Sequence, residues 1–284
     1  MTSGWLGMTK WMRSSRLHYA TLKDDIFIRS FEHLFQDDSL TAVTLHVEFM
    51  NLIKQNWNIN DKNDFIEYLK TFSIPEKVDF QRRVINTKKP ILGIMTPTLR
   101  SIANEIAKGD YISFLNLGIH DYYECEIING ALICKIKELN TLFEYLTAYA
   151  ENADCWAEID LIKIPYKEKT AEQIFSYAEN CTKSDKTFVR RLGVILLFSF
   201  IREDYFARIT TILKSLRNET EYYVNMAVAW LTAELVVKLP DLIIPFINLD
   251  NMNEFALRKT ISKCSDSFRI PKERVDAIKK VALS

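Results

Sequence analysis

Residues 186–201, KTFVRRLGVILLFSFI, and residues 221–237, EYYVNMAVAWLTAELVV, decide the fold. After its opening turn each string is apolar on nearly every side. A helix without a polar face has no solvent face, so it must be sandwiched between neighbours. Related strings occur at 121–136 (DYYECEIINGALICKI), 154–162 (DCWAEIDLI) and 254–264 (EFALRKTISKC). In each, a short polar stretch leads into an aromatic residue and then an apolar run. Tyr122, Trp156, Phe188, Tyr222 and Phe255 serve as markers, and they are separated by 34, 32, 34 and 33 residues. A near-constant step of this size marks a helical repeat. Between the markers lie second helices: 141–151, 170–180, 205–216 and 242–249. Each repeat is then a helix pair that buries its apolar face only by stacking on the next pair. The expected class is all-α, a HEAT-like helical-repeat solenoid.

Composition agrees. The 284 residues include only 7 Gly and 7 Pro, too few for the many tight turns of a sandwich or barrel. Hydrophobic residues at 48% and charged residues at 26% suit a packed chain and exclude a disordered one. Lys plus Arg equals Asp plus Glu at 37 each, so any nucleic-acid surface must come from local segregation of charge. Cys125, Cys134, Cys155, Cys181 and Cys264 are odd in number and follow no framework, which reads as reduced thiols. The four histidines are scattered and no metal-ligand spacing occurs, so no metal and no cofactor are expected. No apolar run reaches the roughly 18 residues of a membrane span. The expected location is cytoplasmic, and the expected state a monomer.

Outside the repeats, residues 1–60 read as a helical extension with a basic start (Lys10, Arg13, Arg16, Lys23) and helices within 24–35 and 39–57. The remainder, 61–284, reads as one repeat domain. It opens with an amphipathic helix at 63–74 and a basic patch (Arg82, Arg83, Lys88, Lys89) read as a loop with candidate phosphate contacts. Thr96 should cap the next helix, with Pro97 at its first position and Gly109 at its end. The chain closes on 269–281, a helix started by Pro271.

No Ser-His-Asp order or phosphate loop is present. Trp156 and Asp160 are four apart, so they share a helix face. Arg190 and Arg191 open the third marker helix, and Trp230 lies on the fourth. Early turns of adjacent repeats pointing at one groove would collect two indoles, a carboxylate and a guanidinium. The plainer readings are core aromatics for Trp156 and Trp230, a helix partner in Lys163 for Asp160, and arginines that cover carbonyls or pair with acids.

The ordered set 92–106 (LGIMTPTLRSIANEI), 154–162, 190–201 and 222–234, supported by 258–270 (RKTISKCSDSFRI), resembles the AlkD-type DNA alkylation-repair glycosylases over roughly residues 60–284. The resemblance implies a HEAT-like fold and excision of N3- and N7-alkylated purines from double-stranded DNA, without flipping the base into a pocket. It places Asp160 as the catalytic carboxylate, ionised and near its ordinary pKa. Trp156 and Trp230 become the aromatics that cradle the lesion, and Arg191, with Arg190 beside it, the contact to the DNA backbone. The chain departs from the pattern at three positions. Ala157 stands where an acid is common, and Met226 and Ala233 stand where bases flank the second Trp. Those departures keep two alternatives open: a non-excising module that binds DNA structure, and a protein-interaction scaffold.

Overall fold

The computed structural model describes residues 50–165 and 167–282. The basic start, the helix expected at 24–35 and most of that expected at 39–57 lie outside the described residues. Among the described residues there is no strand, and the fold is an all-α helical repeat. Two compact units divide between Leu146 and Thr147.

The first unit holds α1 (Asp61–Lys70), α2 (Pro75–Ile85), α3 (Thr96–Ile106), α4 (Tyr111–Asn116), α5 (Tyr123–Ile133) and the start of α6 (Leu139–Asn152). Residues 50–57 are not helical, although the sequence pattern extended a helix to Trp57. Instead Trp57 is buried edge-on against Phe65 and Phe114, at centroid distances of 6.0 and 4.9 Å. The Lys54 carbonyl accepts the Asp110 N–H at 2.8 Å. That contact, and not a helix end, explains Gly109: α3 stops at Ile106, and a Cβ on Gly109 would lie 2.2 Å from the Lys54 carbonyl oxygen. At the other end of α3, Met95 is the cap and Thr96 is already inside the helix, so the helix starts one residue earlier than the sequence suggested. A fully buried carboxylate, Glu124 on the first turn of α5, accepts N–H bonds from Leu92, Gly93 and Ile94 at 2.9–3.2 Å. It thereby satisfies donors of the loop before α3 that would otherwise be buried and unpaired.

The second unit holds the rest of α6, α7 (Trp156–Asp160), α8 (Ala171–Cys181), α9 (Thr187–Leu196), α10 (Glu203–Ser215), α11 (Tyr222–Lys238), α12 (Pro240–Ile243), α13 (Glu254–Asp266) and α14 (Lys272–Ala282). Tyr122, the first marker, caps α5; the other four fall on the first turns of α7, α9, α11 and α13, as the repeat step requires. These inner helices pack in series, α7 on α9, α9 on α11 and α11 on α13. Six consecutive residues of α9, Arg191–Leu196, are buried, which only a helix covered on all sides permits. One expected second helix is shortened: 242–249 is a single α turn followed by a 3-10 turn, because Pro245 cannot continue the α ladder.

Polar ties recur at about the repeat length. Arg190 pairs with Glu219, Arg191 with Asp160, Arg208 with Glu172 and Arg269 with Glu234. Separations of 29, 31, 36 and 35 residues place each partner one repeat away. A glycine permits a close helix approach. A Cβ on Gly193 of α9 would lie 2.6 Å from the Ala178 carbonyl oxygen and 2.7 Å from Thr182 on the α8 side. Both backbones would have to separate. Gly193→Ala should therefore cost about 1–3 kcal/mol despite the better helix propensity of Ala, read as a lower denaturant midpoint at unchanged slope.

Candidate functional site around Asp160

The site begins with a five-residue helix. Trp156 opens α7 and Asp160 closes it, and Cys155 precedes it in an extended conformation. Trp156 is part-exposed, whereas Ala157, Glu158, Ile159 and Asp160 are buried. The Asp160 carboxylate meets Arg191 of α9 in a two-point contact. Nε donates to Oδ1 at 2.9 Å and Nη2 to Oδ2 at 2.7 Å. The two side chains are only 2% and 4% exposed. The third arm of the guanidinium, Nη1, donates to the Tyr223 carbonyl on the first turn of α11. Arg191 thus ties three consecutive inner helices through one planar group.

This geometry corrects two expectations. The partner of Asp160 is Arg191, one repeat away, and not Lys163 on its own segment. Nor does the carboxylate keep an ordinary pKa. Burial pushes it up, and the charges of Arg191 and Lys263 with the Arg191 hydrogen bonds pull it back down. Both oxygens accept guanidinium hydrogens, so the paired form is carboxylate against a cation that does not deprotonate in proteins. Removing one member of such a pair strands a buried charge, which costs about 3–5 kcal/mol.

Arg190 points into a different set of partners. Its Nε and Nη2 donate to Glu219 at 2.7 and 3.2 Å, and its Nη1 to the Ser184 carbonyl at 2.9 Å. Both arginines therefore cover a carbonyl and pair with an acid, the plainer of the readings open to them. Glu219 also anchors the α11 and α13 starts. Its carbonyl accepts from Asn225 and Asn253 at 3.0 and 3.2 Å, and Asn253 donates to Asn225 at 2.7 Å.

Trp230 on α11 is part-exposed and meets the Phe198 ring edge-on at 5.9 Å. Over the Trp230 ring lies Lys263 of α13, its Nζ 5.0 Å from the centroid. Lys263 feels both Asp160 and Arg191. Burial and the Arg191 charge push its ammonium down to about 8, against a smaller upward pull from Asp160. Sequence reasoning missed this residue. Its signal was its place 33 residues after Trp230, one repeat step, where an apolar or aromatic residue was to be expected. Further aromatic contacts join the first turns of α9, α11 and α13: Phe188 with Tyr223 at 5.3 Å, Tyr223 with Tyr222 at 5.3 Å and Tyr222 with Phe255 at 5.7 Å.

At the positions where the resemblance expects bases, Met226 is part-exposed and Ala233 buried. The basic patch of the first unit is divided. Arg82 and Arg83 sit exposed on the last turn of α2, not in a loop, where they complement the helix dipole. Lys88 is exposed in the following segment, and Lys89 approaches Glu126 at 3.5 Å. Asp154, Cys155 and Glu158 bring donor atoms within 4.8 Å of one another and could hold a cation. Burial pushes the Cys155 thiol far up, so its proton stays on, and the thiol donates to Glu158 at 3.6 Å.

A sequence profile described as DNA alkylation repair enzyme matches residues 65–264. The chain belongs to that family. The match spans Asp160, Arg191, Trp230 and Lys263, and thus the whole of the paired cluster. A comparison with curated proteins finds no match. Membership in the DNA alkylation repair family supports a role in alkylation repair with DNA as the substrate. No described helix is long and apolar enough to cross a membrane.

The depressed Lys263 ammonium has a stability consequence. The folded chain releases this proton near pH 8 and the unfolded chain near 10.5, so between them the unfolded state binds more protons and stability rises with pH. Below that window the enclosed charge destabilises the fold in full. Lys263→Met should therefore melt higher than wild type at pH 7, and the gap should narrow as pH rises from about 8 toward 10. A gap that stays constant across that range would show the lysine titrating normally.

Proposed function

We propose that the protein is a DNA glycosylase of alkylation repair that hydrolyses the N-glycosidic bond of cationic N3- and N7-alkylpurines in duplex DNA. The observation that carries this reading is the buried, two-point Asp160–Arg191 pair, linked by the charge of Lys263 to part-exposed Trp230, over whose ring Lys263 lies.

An N-alkylated purine carries positive charge and leaves as a neutral base, so no general acid is required, unlike an ordinary glycoside. What the enzyme must supply is stabilisation of the oxocarbenium-like sugar and a positioned water. A carboxylate held rigidly by a guanidinium meets both needs, because its orientation is set before the sugar charge develops. Each Asp160 oxygen keeps a lone pair after accepting from Arg191, one for the sugar cation and one for water. Arg191 acts here as a positioning residue. Trp230, with Trp156 at the open end of α7, offers an indole face to the cationic lesion, a contact of about 0.5–2 kcal/mol. Exposed Arg82, Arg83 and Lys88 are candidates for phosphate contacts, which supply most non-specific affinity. Arg190, committed to Glu219, has no assigned DNA role.

One observation favours a second reading. Both arginines of α9 are committed to carboxylates, and Met226 and Ala233 are uncharged, so the site is poorer in free cations than the family pattern. A module that binds DNA structure without excision would need no more.

Base release from a duplex containing N7-methylguanine decides between them. Wild type should release the base, and Asp160→Asn should lose at least about a hundredfold in rate with duplex affinity kept. Normal excision by Asp160→Asn would reject the assignment of the carboxylate. Duplex binding by wild type without any release would select the non-excising module.

A further inference from the structure

We propose a second activity at the same site: Lys263 is an amine nucleophile that attacks the aldehyde of an abasic site and cleaves the DNA strand by β-elimination. The proposal rests on the glycosylase reading only for the position of the deoxyribose beside Asp160.

Four observations converge on Lys263. It is the lysine of α13 laid on the Trp230 face, 5.0 Å from the ring centroid, and it remains part-exposed. Its charge interacts with both Asp160 and Arg191, so the amine shares the neighbourhood of the paired carboxylate. Its ammonium is held near a pKa of about 8, leaving an appreciable fraction of free amine at neutral pH, the form that reacts with carbonyls. Finally, keeping an enclosed cation beside Arg191 costs stability, and strongly perturbed ionisable groups cluster at functional sites. Lys259, one turn earlier on α13, makes a useful contrast. It lies 5.7 Å over Phe255, and its pKa is lowered by burial and by Arg258. The groups acting on Lys263 are Arg191, Asp160, Lys259 and Asp266.

The chemistry balances without a co-reactant. Excision leaves a hemiacetal sugar that opens to an aldehyde at C1′. The Lys263 amine adds to C1′, and loss of water, with a proton taken from solvent and returned at the final hydrolysis, gives an iminium. Asp160, whose charge acts on Lys263, accepts the C2′ proton. The C2′–H electron pair forms the C2′–C3′ double bond, and the C3′–O bond breaks with the phosphate leaving. Water then hydrolyses the iminium, which restores the amine and releases an unsaturated aldehyde end. The proton on Asp160 passes to solvent.

The test uses full-length protein and a duplex carrying a preformed abasic site, so base excision is not needed. Sodium borohydride reduces the iminium and fixes protein to DNA. Wild type should give a covalent adduct and a nicked strand. Lys263→Arg, which keeps the cation over Trp230 but lacks a nucleophilic amine, should lose at least about tenfold of both. Lys259→Arg should trap as wild type does. Absence of a wild-type adduct, or equal trapping by Lys263→Arg, overturns the proposal. The N7-methylguanine release assay run in parallel separates the two claims, since release without trapping removes the second activity and leaves the glycosylase intact.

Discussion

A helix that is apolar around its circumference cannot stand at the edge of a protein. That constraint governs the second unit. The α9 helix buries six consecutive residues, Arg191–Leu196, and α11 buries ten along its length, so each needs cover from both flanks. The cover comes from the next inner helix in the series, and the series repeats at the marker step. Burial of this kind is non-directional, however, and would tolerate a slip of one helix along another. The arginine–carboxylate ties are directional. Arg191 holds Asp160 by two bonds and the Tyr223 carbonyl by a third, which fixes α7, α9 and α11 in register. Arg190 with Glu219, and Glu219 with Asn225 and Asn253, extend the same arrangement to α13.

Fixing register and presenting a carboxylate are the same act here. In isolation a buried Asp would neutralise, because an unpaired charge is expensive away from water. Opposed to a planar guanidinium it stays charged while its orientation is held. A fully exposed acid could also be charged, but water would screen its field and its side chain would sample many rotamers. The pair thus joins a device that orders the repeats to a charged carboxylate of fixed orientation, the feature on which the proposed reaction rests.

Much of this was legible in the sequence. The markers at near-constant steps located the starts of the inner helices, where an aromatic residue can pack against its counterpart in the next repeat, as Tyr222 does on Phe255. The ordered motifs indicated Asp160, Arg191 and Trp230. What the residues alone left open was direction. Arg190 and Arg191 are adjacent, and a helix sends adjacent side chains about a hundred degrees apart, so one faces Glu219 and the other Asp160. No composition or charge count separates them. Gly109 and Thr96 were misplaced for a related reason. The first answers to the Lys54 backbone, far away in sequence, and the second yields its capping position to Met95.

Lys263 shows where such reading stops and what replaces it. On α13 it is one of several lysines in a polar string, and nothing local distinguishes it. Its character comes from α11 and from the α7–α9 pair, which supply the ring beneath it and the charges beside it. The flanking positions of Trp230 that carry bases in the family hold Met226 and Ala233 here, so α11 itself brings no cation to its indole. The cation comes instead from the following repeat, at the register Trp230 occupies in its own. In a stacked repeat a side chain can be supplied from either neighbour, and a cation on the adjoining helix need not act as the lost one did. An arginine would stay charged at any relevant pH. A lysine enclosed beside Arg191 does not, and that difference makes an amine available where a guanidinium would give only a contact to DNA.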